Sequence, residues 1–334
     1  MTMTLFDARH FGPRRPAWHH LGHPNSQPAT AREAFQQAGP YDVTLRPADE
    51  PDSWKIRRSP TAVDPRYRVF GTVGRDFVLV PPDELTELWD VNVRQPVETL
   101  GALWRGRCLF ITTQLAPFDV RGDALENYLI LAHWLDQTGR TEVFLAPVRV
   151  VCQNTLRMAQ QRASQRIVLT AGADVRQRMA ESLTLGVRSA QEYAATLRAT
   201  CIRLADRRAT PEDARSVLQA AFPAEQARRT AAMELFEGAG TGMDHPATRG
   251  TLWGLYNAVA ELENFREGDT LQQAASSVLF GSRGSAIERA FAAAVRCCAA
   301  PSTDVPRVAE VLQHEPSSTA SRTANCPAEV VAMR

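Results

Sequence analysis

Residues 142–156 read EVFLAPVRVVCQNTL. Up to Cys152 the run is apolar and rich in β-branched residues, with a turn signal before it, and it reads as a strand. After it the composition turns helical, and Asn154 or Thr155 stands where a helix cap would. A strand-to-helix switch at this point divides a β-rich half of the chain from a helical half.

Upstream, GRCLFITTQL (106–115) and NYLILAHWL (127–135) are two further strand candidates. RGD (121–123) and DQTG (136–139) are the turns between the strands. RYRVFGTVGRDFVLVPP (66–82) holds two strand-like runs around Gly71–Gly74 and predicts a hairpin. DELTELWDVN (83–92) predicts a short helix capped by Asp83, and TAREAFQQAG (30–39) one capped by Thr30 and stopped at Gly39. Downstream, RIVLTAG (166–172) is one more strand candidate. A 3.6-residue period from Asp174 to about Arg208 predicts a long helix. Helices over 211–236 and 251–267 follow, joined by a flexible GAGTGMDHPATRGT (238–251), with a short helix or two over 270–298.

The predicted fold class is α+β, an antiparallel sheet of about five strands packed with helices and followed by a helical lobe. The expected organisation is an N-terminal arm with loops over 1–65 and an α+β core over 66–208. A helical lobe over 209–300 and a disordered tail over 301–334 complete it.

Composition narrows the function classes. The formal net charge of the 334 residues is +1, which removes any global basic signature. No apolar run approaches the roughly 20 residues that span a bilayer, so no membrane partner is expected. The cysteines form no C-x-x-C pair, and no signal-peptide core stands near Met1. A cytoplasmic protein with reduced thiols is the expectation.

Charge is distributed unevenly. From Arg149 to Arg208 eleven arginines face four acids, a surplus of seven; from Ala209 to Thr270 five arginines face ten acids. Such asymmetry suits a phosphate-binding face, and equally a pair of segments that neutralise each other or a second subunit. Arg157, Arg162, Arg166, Arg176 and Arg178 are the candidate phosphate contacts, with Trp134 or Tyr128 for base stacking. Cys152, at a strand end before a helix, has the setting of an activated thiolate but no visible base; burial as a small apolar group is the simpler reading. WHHLGH (18–23) lacks the spaced fourth ligand of a zinc site, so neither a metal nor a cofactor is expected. GTVGRD (71–76) and GAGTG (238–242) lack the context of a nucleotide loop. In TLWGLYNAVAELENF (251–265), Trp253, Asn257 and Glu261 recur every fourth residue and share a helix face. They read as a packing network or as the lining of a site.

Four of these stretches, in order, resemble one family: the phage/plasmid-like proteins defined by domain of unknown function 932. They are PAWHHLG (16–22) with Trp18 and His19, and TVGRDFVLV (72–80) with Gly74, Arg75 and Asp76. VRVVCQNTL (148–156), with Arg149, Cys152, Asn154 and Thr155, and the Trp253/Asn257/Glu261 helix complete the set. Two departures are visible. DQTG replaces a frequent DGS turn, and Asn264 and Phe265 stand where many members carry Asp-His, which counts against catalysis. The resemblance implies a mobile-element context and no settled activity. The function expected is non-enzymatic nucleic-acid binding in phage or plasmid DNA metabolism, single strands favoured, with a homo-oligomer as an open partner. The alternatives are a protein–protein module acting on host defence and an enzyme using Cys152 or an Asn257/Glu261 site.

Overall fold

In the computed structural model of the chain, residues 9–11, 24–25, 29–150, 166–265 and 271–299 are described. Two sheets organise them. The larger is built on five antiparallel strands: β6 (Thr99–Leu103), β7 (Cys108–Val120), β8 (Asp123–Trp134), β9 (Thr141–Arg149) and β10 (Arg166–Leu169). Two short strands, β1 (Arg9–Phe11) and β2 (Pro24–Asn25), extend it beyond β6, β2 running parallel to β1. This is the α+β architecture that the sequence predicts.

The β7–β8 hairpin turns through Arg121 (φ 55°) and Gly122 (φ 89°). Two successive positive φ values make the two-residue loop whose twist matches antiparallel strands. Pleating then sends alternate residues to opposite faces. Leu109, Ile111, Leu129, Leu131, Val143 and Leu145 enter the main core. Cys108, Phe110, Tyr128, Ile130, Ala132, Phe144, Ala146 and Val148 form a second apolar cluster on the other side. Burial on both faces is why these strands read as continuous apolar runs.

The main-core face is crossed by α3 (Val175–Asp206). Gly186 lets it approach closely: a Cβ there would stand 2.9 Å from a Leu129 methyl. On the other face, Leu279 and Phe280 at the end of α7 (Leu271–Phe280) join the second cluster. Of the further helices, α6 (Leu252–Asn264) and α8 (Ser282–Cys298) pack on α3, α4 (Pro211–Ala221) packs on α6 and α8, and α5 (Gln226–Glu234) packs on α4 and α6.

Local signals set several boundaries as the sequence predicts. Thr30 and Glu33 form a reciprocal capping box on α1 (Ala31–Ala38), and Gly39 ends it in the left-handed region. Elsewhere the elements differ from expectation. The stretch read as arm and loops contributes two strands, β3 (Val43–Pro47) and β4 (Ser53–Arg58), to a three-stranded antiparallel sheet that β5 (Arg68–Gly74) completes. The hairpin expected within 66–82 is therefore absent. β5 pairs with β4, and residues 75–81 hold no strand. A bulge at Phe70 breaks the register of β5, and Gly71 (φ 149°) lies against the Gln137 side chain of the DQTG turn. The helix α2 (Pro82–Asn92) starts on Pro81 with no side-chain cap; Asp83 sits in its first turn, where its charge favours the helix dipole. The single helix expected over 211–236 is two, because Pro223 supplies no N–H to continue the ladder after Phe222. The tail expected to be disordered lies outside the described residues.

Candidate functional site

Arg149, Trp253 and Glu261, three of the family-motif residues that the structure describes, meet at one end of the large sheet. Asp123 opens β8 directly after the Arg121–Gly122 turn, and Arg149 closes β9 beside it. Both side chains are fully buried. Arg149 Nε donates to the two Asp123 carboxylate oxygens at 2.8 and 2.7 Å. Its Nη1 and Nη2 donate to the carbonyls of Thr241 and Gly242 at 3.2 and 3.1 Å. Trp253, in the first turn of α6, donates its Nε1–H to Asp123 Oδ2 at 2.8 Å.

The GAGTG loop is held from its other side as well. Thr241 donates from N and Oγ1 to the Glu261 carboxylate, and Thr248 Oγ1 donates to the Gly242 carbonyl at 2.7 Å. Gly254 admits the Thr248 backbone, whose carbonyl would lie 1.9 Å from a Cβ at that position. The connection expected to be flexible is thus a fixed part of this node. Of the helix-face trio, Trp253 and Asn257 are buried and Glu261 is half-buried. Asn257 Nδ2 donates to the Trp253 carbonyl, while its Oδ1 meets no partner among the described residues.

What this arrangement does is position. A guanidinium and a carboxylate out of water are tolerable only when each is neutralised and hydrogen-bonded, and here each is both. Four segments remote in sequence are locked together: the β7–β8 turn, the end of β9, the 238–248 loop and α6. The chain leaves the sheet from this anchored end, with Val150 N donating to the Ala124 carbonyl. Nearby Cys201 is driven towards the neutral thiol, first by burial and then by the charge of Asp123.

The remaining predicted residues are not gathered here. Trp18, His19, Cys152, Asn154, Thr155, Arg157 and Arg162 lie outside the described residues. Arg166 opens β10, an edge strand of the large sheet. Arg176 is engaged internally: it binds Glu84 of α2 and donates to the Leu79 carbonyl. Arg178 lies 3.7 Å from Asp174. Further along, Arg198 donates to the Asp119 carbonyl, Arg207 pairs with Asp213, and Arg208 donates to the Arg249 carbonyl. Much of the arginine surplus of α3 and its ends therefore ties the helix to its neighbours.

Tyr128, expected as a stacking platform, is fully buried, and its hydroxyl donates to Glu126 at 2.6 Å. An aromatic in a sealed face offers no ring to a base. Trp134 is half-buried and stacks on Trp104, with Phe280 edge-on at 5.2 Å and the Arg140 guanidinium also 5.2 Å away. Gly74, Arg75 and Asp76 lie at the exposed end of β5, where Arg75 pairs with Asp52 at 2.8 Å in the open.

Asp123 is the residue that sequence reasoning missed. It reads as part of a turn, and its partners come from distant segments; Trp253 is 130 positions away. Among the described residues no group of three or more His, Cys, Asp or Glu side chains could hold a metal ion, and no helix is long and apolar enough to cross a membrane. No curated protein and no solved structure matches the chain. A family model does match, over residues 69–277, a span that takes in the β5 end, the Asp123–Arg149 pair and the Trp253 helix. The chain belongs to the family described as Domain of unknown function (DUF932).

Proposed function

We propose that this protein is a non-enzymatic nucleic-acid-binding protein of phage or plasmid DNA metabolism, acting on single strands. The observation that carries the proposal is the stretch between β9 and β10. From Val150 to Gln165 it holds two arginines, Arg157 and Arg162, Arg166 follows as the first residue of β10, and no acidic residue occurs before Asp174. Its two ends are fixed. Arg149 is clamped by Asp123 and two carbonyls at one end, and β10 pairs with β9 from Arg166 to Leu169 at the other. Binding residues carried between rigid elements are a common way to present charge to a ligand. Arg176 and Arg178, with carboxylates beside them, play a secondary part in this proposal.

The test is fluorescence anisotropy with labelled single- and double-stranded DNA and RNA across a salt series. Binding to single strands should fall steeply with salt, and each lost phosphate contact should lower the log–log slope by about 0.7. Arg157→Gln with Arg162→Gln should lower both affinity and slope. Unchanged binding in that variant would sink the assignment to this stretch.

A further inference from the structure

We infer that the outer face of the β3–β4–β5 sheet is a second contact surface for single-stranded nucleic acid, with cations on the phosphates and Tyr67 beneath a base. The class of ligand rests on the nucleic-acid reading above; the surface is independent of it in sequence and in residues.

Register places the residues. Pairing sets Arg46 opposite Lys55 and Thr44 opposite Arg57, and on the other side Lys55 opposite Thr72 and Arg57 opposite Val69. Directly paired residues share a face. One face of the small sheet therefore carries Thr44, Arg46, Lys55, Arg57, Thr72 and Val69. The opposite face carries Val43 and Ile56, both buried in the main core. The first set is open to solvent: Thr44, Arg46, Val69 and Thr72 are exposed, and Lys55 and Arg57 are half-exposed. Cations two residues apart on a strand stand about 7 Å from each other, and those on paired strands about 5 Å.

Tyr67 gives the patch its second property. It stands just before β5, 59% exposed, with the Arg57 guanidinium 4.2 Å from its ring centroid. A large ring left in water with a guanidinium stacked on it is a platform on which a base can lie. Val69, 55% exposed, continues the apolar part of the patch.

Charge selects the occupant. Among the described residues no carboxylate pairs with Arg46, Arg57 or Arg66. The acids nearby sit at the ends of the face: Asp42 before β3, and Asp49, Glu50 and Asp52 in the β3–β4 turn, where Asp49 takes Lys55 at 2.7 Å. Asp64 is held by Arg58 and Arg68. Cations without counterions beside an exposed ring fit a ligand that alternates anions with flat apolar groups. That is a single-stranded polynucleotide rather than an acidic peptide.

The experiment compares three forms of the full chain on a labelled single-stranded oligonucleotide: wild type, R46Q/R57Q/Y67A, and R157Q/R162Q. Each is titrated over salt, with unlabelled poly-glutamate as competitor. The sheet variant should bind about tenfold more weakly or worse. Its salt slope should fall by about 1.4, two contacts at 0.7 each. The conservative form R57K/Y67F should keep most of the affinity, which shows that the loss is not misfolding. Wild-type affinity and slope in R46Q/R57Q/Y67A, with a loss in R157Q/R162Q, would overturn this inference and leave the proposed function standing. A loss in the sheet variant alone would support the face and remove the β9–β10 stretch. Absence of wild-type binding at low salt would overturn both. Displacement by poly-glutamate as effective as by unlabelled oligonucleotide would overturn the nucleic-acid ligand in favour of an acidic protein.

Discussion

The two sheets of this molecule are both built on antiparallel strands and share a core, yet they treat their faces differently. The large sheet buries both faces, one under α3 and one against the end of α7. The small sheet buries Val43, Ile56, Phe70 and Val73 and leaves Thr44, Arg46, Val69 and Thr72 in water. Charge follows the same division. In the large sheet Arg149 is permitted because Asp123 and two carbonyls enclose it; in the small one Arg57 needs only a ring and solvent. A guanidinium is a structural element in one place and an available ligand group in the other, and solvation makes the difference.

The largest expected effect breaks the enclosed pair. Arg149→Met leaves the Asp123 carboxylate buried with, among the described residues, only Trp253 to answer it, and should cost about 3–5 kcal/mol in urea unfolding. R149M/D123L together should recover part of that loss, since two apolar groups carry no uncompensated charge. A loss in the double variant equal to the sum of the two single losses would show that Asp123 and Arg149 act independently. Next in size, Ile56→Ala should remove about 2–5 kcal/mol by opening a cavity on the inner face of the small sheet. A loss below 1 kcal/mol would mean that this face is not packed as the large sheet is.

These contrasts also explain what could be read from sequence. Strands buried on both faces announce themselves as apolar runs, and β7, β8 and β9 were all legible with their turns. The long helix α3 showed in its period, and the α1 boundaries in Thr30, Glu33 and Gly39. The small sheet stayed hidden because its outer half is polar: VTLRP and SWKIRR resemble loops unless the inner residues are already known to share a face. The bulge at Phe70 further spoils alternation in β5. TLGAL, the β6 strand, has little β-branched or aromatic content to mark it. At the node, Arg149 and Trp253 stood out as motif residues. Their meeting point, Asp123, did not, because nothing local distinguishes a buried carboxylate from a turn residue. The arginine surplus was visible as a number, but which arginines were already paired was a property of packing.

The sealed sheet also predicts a pH effect. His133 points into the main core, with Nδ1 2.8 Å from Thr141 Oγ1. Burial holds its pKa down to about 4, against opposing contributions from the Val80 backbone and Asp136. Unfolded, it protonates near 6.5. Between these values the unfolded chain binds a proton that the folded one refuses. Stability is therefore complete above about pH 6.5 and falls as pH drops towards 4, by up to about 1.4 kcal/mol per unit from this group. Carboxylates titrate in the same window, so the readout is a difference. His133→Gln should flatten the slope of unfolding free energy between pH 6.5 and 4 relative to wild type. Parallel slopes would place His133 in contact with water.

The smallest expected effect is the most informative about the open face. Arg57 and Tyr67 touch each other and solvent, and Arg57 faces no carboxylate among the described residues. Removing an exposed side chain that seals nothing changes stability by no more than about 0.5 kcal/mol. Arg57→Gln and Tyr67→Ala should therefore melt with wild type, although Ile56, the inward neighbour of Arg57 on the same strand, does not tolerate truncation. That pair of results would show β4 to be a strand whose alternate residues serve different ends, one set for folding and one free to bind. If Arg57→Gln instead costs as much as Ile56→Ala, the outer face is covered in the folded protein. The contrast between the two sheets would then disappear, since both would be sealed on either side.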